Sequence, residues 1–343
     1  MGFVKFLKFL KLKVSCTRVA DRVASVDHVE DVGDATVIAC KQKRNGMPML
    51  FSWDDIERCT MDFSLVIGYG GFSTVYLAQF PDSSSAAIKI QCSSERLNQA
   101  YKQELEILLH VHHPHIVKLL GHCDDRDEGV LVMEYVPNGN LQEKLHGSNT
   151  LLPWKKRMAI AFQLAQAIEH LHDKCGLQIV HGDIKASNIL LDEQLNCKLC
   201  DFGSAKMGFS SLVLPPSSPS ARRNRIMMLG SPGYTDPHYL RTGLATKKND
   251  VYSFGVIVLE LITGMEAFNP SSGERLTTRV EQLLRNSEKV GEIVDSRLRG
   301  EFDLEEAKAM ASLSAMCLCD IPSRRPCASD ILATMRNKIP SVY

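Results

Sequence analysis

The chain changes character once, at Pro137-Asn138-Gly139, and this change constrains its fold more than any other feature of the sequence. Before it, short apolar segments bounded by turn residues predict β-strands over 65–80, 85–90, 116–123 and 129–136. After it, apolar residues recur at helical spacing, most clearly over 154–172. A β-rich unit followed by an α-rich unit predicts an α+β protein of two lobes, with a ligand-binding cleft between them.

The length and composition of the chain exclude several kinds of protein. The 343 residues exceed the roughly 250–300 at which a single core stops growing, so we expect two lobes or a domain with a tail. Forty basic residues balance forty acidic ones, which disfavours a nucleic-acid binder. Eleven cysteines without a secretory signal indicate reduced, intracellular thiols. No stretch reaches about 18 apolar residues, and the apolar run at 251–262 predicts a buried helix.

Residues 1–50 differ from the rest, because they begin with the basic and apolar sequence MGFVKFLKFLKLKV. Four lysines interrupt the apolar core that a signal peptide needs, and Phe6 breaks the myristoylation pattern. An interfacial helix over 1–16, with Cys16 as a palmitoylation candidate, is the preferred interpretation, and an organelle presequence is the alternative. We therefore expect a cytoplasmic protein without a transmembrane span, peripheral at the inner face of the plasma membrane.

The glycines at 68, 70 and 71 lie between two predicted strands, where they allow backbone N–H groups to approach phosphate oxygens. An ordinary turn explains them equally well. Residues 74–77 continue as a strand rather than a helix, which disfavours a Rossmann site, and no GxxxxGK[ST] loop is present. Lys89 lies on the following strand and Glu104 on the next helix, so a carboxylate there could hold the lysine against phosphates.

Two further segments carry polar side chains suited to chemistry. In HGDIKASN, residues 181–188, Asp183 could accept a proton from a hydroxyl, Lys185 could neutralise charge and Asn188 could bind a metal. Asp201, in Asp-Phe-Gly after a predicted strand, offers the oxygen ligand that Mg²⁺ prefers.

In this order and spacing, these segments resemble the eukaryotic protein kinase signature over residues 60–340. GSPGYTDPHY resembles the end of an activation segment, and DIPSRRP the segment before the last helix. KKNDVYSFGVIVLELITG and FSWDDIERCTMDFS resemble plant receptor-like kinases. The chain is thus similar to plant receptor-like and receptor-like cytoplasmic Ser/Thr kinases of the interleukin-receptor-associated and Pelle-like group.

The resemblance implies a bilobal kinase fold, ATP and Mg²⁺ as cofactors, and a role for each matching residue. The implied catalytic residues are Asp183 as the base, Lys185, Lys89 and Glu104, and the implied metal ligands are Asn188 and Asp201. Ser231 would select the substrate hydroxyl, and Asp250 would anchor the catalytic loop. The implied ATP contacts are Ile67, Gly68, Gly70, Gly71, Ser73, Val75, Ala87, Lys89, Met133 (the gatekeeper), Glu134, Val136 and Leu190.

The same resemblance predicts the domain organisation and the function. We expect a basic tail at 1–50, a lead-in at 51–61 and a kinase domain at 62–340, with the N-lobe ending near 133 and the C-lobe beginning near 137. The expected function is phosphorylation of Ser/Thr hydroxyls on protein substrates, beside or downstream of a receptor kinase. The alternative is a pseudokinase acting as a nucleotide-binding scaffold. Lys185 and GSPGYTDP disfavour a small-molecule kinase.

The chain departs from the family pattern at four places. Ser73 replaces the third glycine of the loop, and Gly182 replaces the usual arginine before Asp183, so activation-loop phosphorylation is not expected to act through that arginine. His238 replaces the glutamate of the Ala-Pro-Glu motif, which predicts an unpaired arginine near Arg325 unless a neighbour compensates. Residues 209–225 are long, serine-rich and basic, and are interpreted as a surface loop with phosphorylation as the alternative.

Two segments contain residues typical of metal or redox motifs, but structural roles are preferred for both. Histidines at 110, 112, 113 and 115 match no standard zinc spacing, so structural roles are preferred. Cys197 and Cys200 form CxxC on a predicted strand, where buried reduced thiols are the preferred interpretation.

Overall fold

The computed structural model describes residues 48–92, 95–147, 151–208, 230–284 and 286–342. The predictions about the membrane-binding helix at 1–16, about Cys16 and about the serine-rich segment at 209–225 fall outside the described residues.

One six-stranded sheet forms the N-lobe. Its strands are β1 (Met49–Leu50), β2 (Val66–Tyr69), β3 (Ser73–Gln79), β4 (Ser85–Gln91), β5 (Leu119–Cys123) and β6 (Val130–Glu134). They lie in the order β1-β5-β6-β4-β3-β2, and only the β1–β5 pair is parallel. The register places Val75 opposite Lys89 and Ala87 opposite Met133. Helix α2 (Glu95–His110) belongs to the same lobe.

The lead-in packs onto this sheet. Helix α1 (Trp53–Cys59) begins at Ser52, whose hydroxyl accepts from the Asp55 amide at 3.2 Å in a capping box. Phe51 and Ile56 are buried against apolar side chains of the sheet. A Cβ on Gly121 would lie 2.3 Å from the carbonyl oxygen of Met49, so the close approach of β1 to β5 requires glycine there.

The C-lobe is mainly helical, as predicted. Its helices are α3 (Leu141–His146), α4 (Trp154–Glu169), α5 (Pro237–Thr242), α6 (Lys247–Thr263), α7 (Leu276–Leu284), α8 (Leu304–Cys317) and α9 (Ala328–Lys338). Helix α6 packs against α4 and α8 and is buried on nearly every side, which confirms the buried helix predicted for 251–262. In the parts of the chain that are described, no helix combines the length and the apolar character needed to cross a membrane.

Short strands line the junction of the lobes: β7 (Ile179–Val180), β8 (Ile189–Leu191), β9 (Cys197–Leu199) and β10 (Lys206–Met207). The amide of Val117 donates to the Leu199 carbonyl at 2.9 Å, and the amide of Asn138 donates to the Leu191 carbonyl at 3.1 Å. The chain entering β5 and the chain leaving β6 are therefore both bonded to the β8–β9 hairpin.

One prediction about the C-lobe is wrong. The helical periodicity predicted a helical chain from the end of the segment 209–225 onward, but this region contains a hairpin of β11 (Phe268–Asn269) and β12 (Glu274–Arg275). The reason is turn chemistry, since the Asn269 side chain accepts from the Ser271 amide at 2.9 Å and Gly273 has φ of 71°.

Candidate active site

A glycine-rich hairpin joins β2 and β3 at the edge of the sheet. The amide of Gly70 donates to the Ser73 carbonyl at 2.7 Å, which closes a tight turn. A Cβ on Gly70 would lie 2.4 Å from the Ser73 hydroxyl, so a side chain at position 70 would displace this serine. Tyr69 is 82% exposed and Phe72 is 55% exposed at the tip. Ser73 is thus accommodated within the turn.

Three charged side chains from distant elements meet beside this hairpin. Lys89 Nζ of β4 donates to Glu104 Oε1 at 2.8 Å and to Oε2 at 2.9 Å, and Glu104 lies on α2. The same Nζ donates to Asp201 Oδ1 at 2.8 Å. Burial lowers the pKa of Lys89, but the attraction of Glu104 and Asp201 outweighs it and raises that pKa above its ordinary value. Lys89 is therefore a fixed cation facing two carboxylates.

The backbone around Asp201 connects this cluster to the loop at 181–188, the candidate catalytic loop. Asp201 has φ of 66°, a left-handed conformation that non-glycine residues hold mostly at functional sites. The Cys200 amide donates to the Asn188 carbonyl at 3.0 Å, and the Cys200 carbonyl accepts from His181 Nε2 at 3.1 Å. The His181 ring also meets the buried Phe202 ring with centroids 4.8 Å apart.

The second polar cluster surrounds Asp183. Lys185 Nζ donates to Asp183 Oδ2 at 2.7 Å, and the Ser231 hydroxyl donates to Asp183 Oδ1 at 2.8 Å. Lys185 Nζ also lies 3.1 Å from the Ser231 hydroxyl oxygen. Asn188 Nδ2 donates to the Asp183 carbonyl at 2.9 Å and to its Oδ2 at 3.2 Å. A carboxylate, an ammonium and a hydroxyl thus share one small volume.

Asp250 of α6 supports this loop from below. Its carboxylate accepts from the backbone amides of His181 at 2.8 Å and Gly182 at 2.9 Å, and from His172 Nε2 at 2.8 Å. Gly182 has φ of 78°, a conformation that costs an arginine more than a glycine. A Cβ there would also lie 3.1 Å from the Ser204 carbonyl oxygen.

The apolar residues implied as ATP contacts lie on strands of the N-lobe sheet and of the β8–β9 hairpin. Val75 of β3, Ala87 of β4, Met133 of β6 and Leu190 of β8 are each partly exposed. Their neighbours on the same strands, Ile88, Val132, Ile189 and Leu191, are buried. Ile67 is 40% exposed on β2 and Val136 is buried after β6.

The side chain of Glu134, at the end of β6, accepts hydrogen bonds from two neighbouring segments. Its Oε1 accepts from the Lys118 amide at 2.9 Å and from Lys198 Nζ at 2.8 Å, which ties the segment after Met133 to β9.

The site contains donors suited to a hard divalent cation. Asp201 has one carboxylate oxygen bound to Lys89, and its side chain is 44% exposed. The amide nitrogen of Asn188 donates to Asp183, so its amide oxygen is the atom that could bind a metal. Partial burial raises the pKa of Asp201, but Lys89 outweighs it and holds that pKa below its ordinary value. This carboxylate is thus ionised at neutral pH.

The histidine and cysteine motifs lie elsewhere. Among the described residues, no group of three or more His, Cys, Asp or Glu side chains is arranged to hold a metal ion. The His113 ring stacks on His170 with centroids 4.9 Å apart, and His115 Nδ1 lies 3.2 Å from the Cys197 carbonyl oxygen. Burial raises the pKa of both thiols of the CxxC motif, to about 12 for Cys200, so neither is an activated thiolate.

Sequence reasoning did not find three supporting residues. Gln91 Nε2 donates to Glu104 Oε2 at 3.2 Å; its position two residues after Lys89 on one strand face was an available signal. His172 pairs with Asp250, and no sequence pattern pointed to it. Asp236 forms an ion pair with Arg325, so of the two predicted outcomes the structure has the one in which a neighbour compensates for His238.

Comparison with known proteins agrees with this geometry. The model of the protein kinase domain matches residues 62–335. The chain belongs to the protein kinase family. Nothing in the family match or in the relatives' names supports the pseudokinase alternative. The α+β kinase fold predicted from the sequence is confirmed.

The kinase is similar to several plant proteins. A probable receptor-like protein kinase of Arabidopsis thaliana is 51% identical over 310 residues, which cover 87% of this chain and 90% of the relative. Salt tolerance receptor-like cytoplasmic kinase 1 of Oryza sativa subsp. japonica is 51% identical over 317 residues, which cover 90% and 84%. A probable leucine-rich repeat receptor-like serine/threonine-protein kinase of Arabidopsis thaliana is 37% identical over 294 residues, which cover 84% and 33%. The predicted resemblance to plant receptor-like kinases is confirmed.

Proposed function

We propose that this kinase transfers the γ-phosphoryl group of ATP to serine and threonine hydroxyls of protein substrates, with Asp183 as the base. One observation carries the proposal. The Ser231 hydroxyl donates to Asp183 Oδ1 at 2.8 Å, and Lys185 Nζ lies 3.1 Å from the Ser231 hydroxyl oxygen. A hydroxyl is thus held between the carboxylate that would take its proton and a cation that would stabilise negative charge, which is the arrangement phosphoryl transfer needs.

The remaining roles follow from the charges. Lys89, fixed by Glu104, would contact the α- and β-phosphates, and the glycine hairpin from Gly68 to Ser73 would cover them. Bound Mg²⁺ supplies neutralisation of the phosphate oxygens in this chemistry. Asn188 and Asp201 would hold it, since their free oxygens are the hard ligands that this ion prefers. Lys185 would stabilise the transferred group.

The apolar side of the crevice would receive the adenine ring. Val75, Ala87, Met133 and Leu190 offer partly exposed apolar surface on four strands. The segment from Glu134 to Val136 would offer backbone groups to the base, and the bond of Glu134 to Lys198 supports the position of that segment.

The test is phosphate transfer by the purified protein with Mg²⁺ and ATP, followed by mapping of the modified residues. Wild type is expected to phosphorylate itself or a generic protein substrate on serine and threonine. Asp183→Ala is expected to lose at least about 100-fold in rate, because it removes the base and the partner of Lys185. The matched control is Glu193→Ala, an exposed carboxylate on the β8–β9 turn, which is expected to behave as wild type.

Equal phosphate incorporation by wild type and Asp183→Ala would contradict the proposal. Retained ATP binding without any transfer by wild type would instead favour the scaffold alternative. Modification confined to tyrosine would refute the Ser/Thr specificity.

We further propose that the kinase is cytoplasmic, acts beside a receptor kinase and contacts membranes peripherally through residues 1–16. The basic and apolar sequence of this segment supports the membrane contact, and the rice relative named as a receptor-like cytoplasmic kinase supports the location. Fluorescent fusions with and without residues 1–16 are expected to distribute differently in cells. Identical distributions would contradict the membrane contact.

The proposed domain organisation is a tail at 1–50, a lead-in at 51–61 and a kinase domain at 62–340. The burial of Phe51 and Ile56 on the N-lobe sheet supports treating the lead-in as part of the folded unit. Limited proteolysis is expected to cut before β1, which pairs with β5, and to spare 51–61. Cleavage between 51 and 62 without loss of stability would contradict it.

A further inference from the structure

A buried ion pair joins the segment after Ser231 to the end of the C-lobe. Arg325 Nη1 donates to Asp236 Oδ2 at 2.6 Å, and Arg325 Nη2 donates to Asp236 Oδ1 at 3.0 Å. Each of these residues is 2% exposed. A two-pronged bond between a guanidinium and a carboxylate fixes both position and angle, which single contacts do not.

The acid of this pair does not stand where the Ala-Pro-Glu pattern has its carboxylate. In the Ala-Pro-Glu pattern the carboxylate is the third residue, but here that residue is His238, and the first residue is Asp236. We propose that Asp236 is a positioning residue that replaces the missing glutamate and holds the protein-substrate platform, Ser231–Tyr234, in register with Asp183. This inference rests on the proposed kinase activity, and it names the residue that keeps the segment Ser231–Tyr234 aligned with Asp183.

The contacts of Arg325 make it a fixed anchor. Its Nε donates to the Cys319 carbonyl at 2.7 Å, and its Nη1 also donates to the Lys248 carbonyl at 2.9 Å. Its guanidinium lies 5.1 Å from the Tyr252 ring centroid. The backbone after α8, the first turn of α6 and an aromatic ring therefore all hold the arginine in place, so a carboxylate bound to it is fixed as well.

Asp236 passes this constraint to the active site along two routes. Asn249 Nδ2 donates to Asp236 Oδ2 at 2.9 Å, and the next residue, Asp250, holds the backbone of the catalytic loop. In the other direction, the chain runs from Asp236 back to Ser231, whose hydroxyl is bonded to Asp183. The platform is thus fixed at one end by Asp183 and at the other by Arg325.

Asp236 also caps α5, because its Oδ1 accepts from the His238 amide at 2.8 Å. A cap alone would explain its presence, so the experiment has to separate capping from pairing. Asp236→Ser keeps a side-chain oxygen for the cap but removes the charge. Asp303→Ala removes a comparable cap, since Asp303 Oδ1 accepts from the Glu306 amide at 2.9 Å at the start of α8.

The decisive variant is the double change Asp236→Ala with His238→Glu, which moves the carboxylate back to the third position. Steady-state kinetics are measured with a protein substrate and, separately, with ATP varied. Asp236→Ala and Asp236→Ser are expected to lose about 100-fold in kcat/KM for the protein substrate, because a misplaced platform no longer presents the hydroxyl. The KM for ATP is expected to stay unchanged, since Lys89 and Asp201 lie outside this network. The double variant is expected to recover most of the loss.

Each result decides the question. Wild-type kinetics in Asp236→Ala would overturn the proposal, as would wild-type kinetics in Asp236→Ser, which would leave Asp236 a cap. If Asp236→Ala is too unstable to assay, thermal unfolding of the double variant decides: recovery of folding supports the pair, and continued unfolding refutes it. If wild type transfers no phosphate, the proposed function fails, and the same unfolding comparison still tests the pair. Asp303→Ala is expected to lower thermal stability slightly without changing kcat/KM.

Discussion

Two polar clusters make up the candidate site, and they are built differently. The phosphate-side cluster, Lys89, Glu104 and Asp201, brings together side chains 15 and 112 residues apart in the chain. The hydroxyl-side cluster, Asp183, Lys185, Asn188 and Ser231, has three members within five residues of one another. The first depends on how α2 lies against the sheet, and the second is largely a property of one loop.

The supports of the two clusters differ as well. Charges hold the phosphate side, because Lys89 is the common partner of both carboxylates. Backbone hydrogen bonds hold the hydroxyl side, because Asp250 accepts from two consecutive amides of the catalytic loop. A charge cluster responds to any movement of α2, whereas a loop bonded through its backbone does not. We therefore expect the phosphate side to be the adjustable half of the site.

The largest effect should come from breaking the phosphate side. Lys89→Met is expected to reduce phosphoryl transfer by about 100- to 1,000-fold, because it removes the cation proposed to contact the phosphates. It also leaves Glu104 buried without its partner, which is expected to lower the free energy of unfolding by about 3–5 kcal/mol. Transfer rates and urea unfolding measure the two effects. Lys102→Met, an exposed lysine on α2, is the control. A fully active Lys89→Met protein would contradict the assignment.

The next largest effect should come from removing the hydrogen bonds by which Asp250 supports the hydroxyl-side cluster. Asp250→Asn is expected to lower kcat by about tenfold or more and to leave the KM for ATP unchanged, since an amide cannot accept all three hydrogen bonds. Asp295→Asn provides the matched control, because Asp295 pairs with buried Arg157 away from the crevice. It is expected to lower stability without lowering kcat. If both variants lose kcat equally, Asp250 stabilises the core and has no separate effect on the hydroxyl-side cluster.

A milder variant of the phosphate side, Gln91→Ala, should show whether the two clusters act independently. Gln91→Ala removes one hydrogen bond to Glu104 but leaves Lys89 in place, so stability is expected to fall by only about 1 kcal/mol. The KM for ATP is expected to rise while the KM for the protein substrate stays constant. Gln79→Ala, at an exposed position on β3, is the comparison variant. A change in the protein KM alone would show that the two halves are not separable.

The smallest effect concerns acid stability. Burial raises the pKa of Asp250, but the hydrogen bond and charge of His172 outweigh it and hold that pKa below its ordinary value. A depressed carboxyl pKa stabilises the fold above the ordinary value of about 3.9, and this contribution disappears as the pH falls through the lower, folded value. The stability gap between wild type and Asp250→Asn is thus expected to narrow in urea unfolding as the pH falls through the ordinary carboxyl value of about 3.9 and further below it. A constant gap would show that Asp250 does not titrate in this way.

The sequence predicted some residues far better than others, and the pattern has a physical basis. The strands, the helix cap at Ser52 and the buried helix α6 follow from local periodicity and capping rules, so they could be predicted. The hairpin at Phe268–Asn269 was missed, because short turn-stabilised strands carry little periodic signal. Gln91 was overlooked although strand alternation placed it beside Lys89 on one face.

The motif order by itself determined the family, the α+β class and the polar residues that carry the proposed chemistry, because each motif is a short segment whose spacing a linear sequence records. Only the tertiary structure decided which side chains support them. Asp236 and Arg325 are 89 residues apart, and His172 and Asp250 are 78 apart, so folding alone brings each pair together. Burial makes these pairs important for stability, because a buried charge that lacks its partner is strongly destabilising.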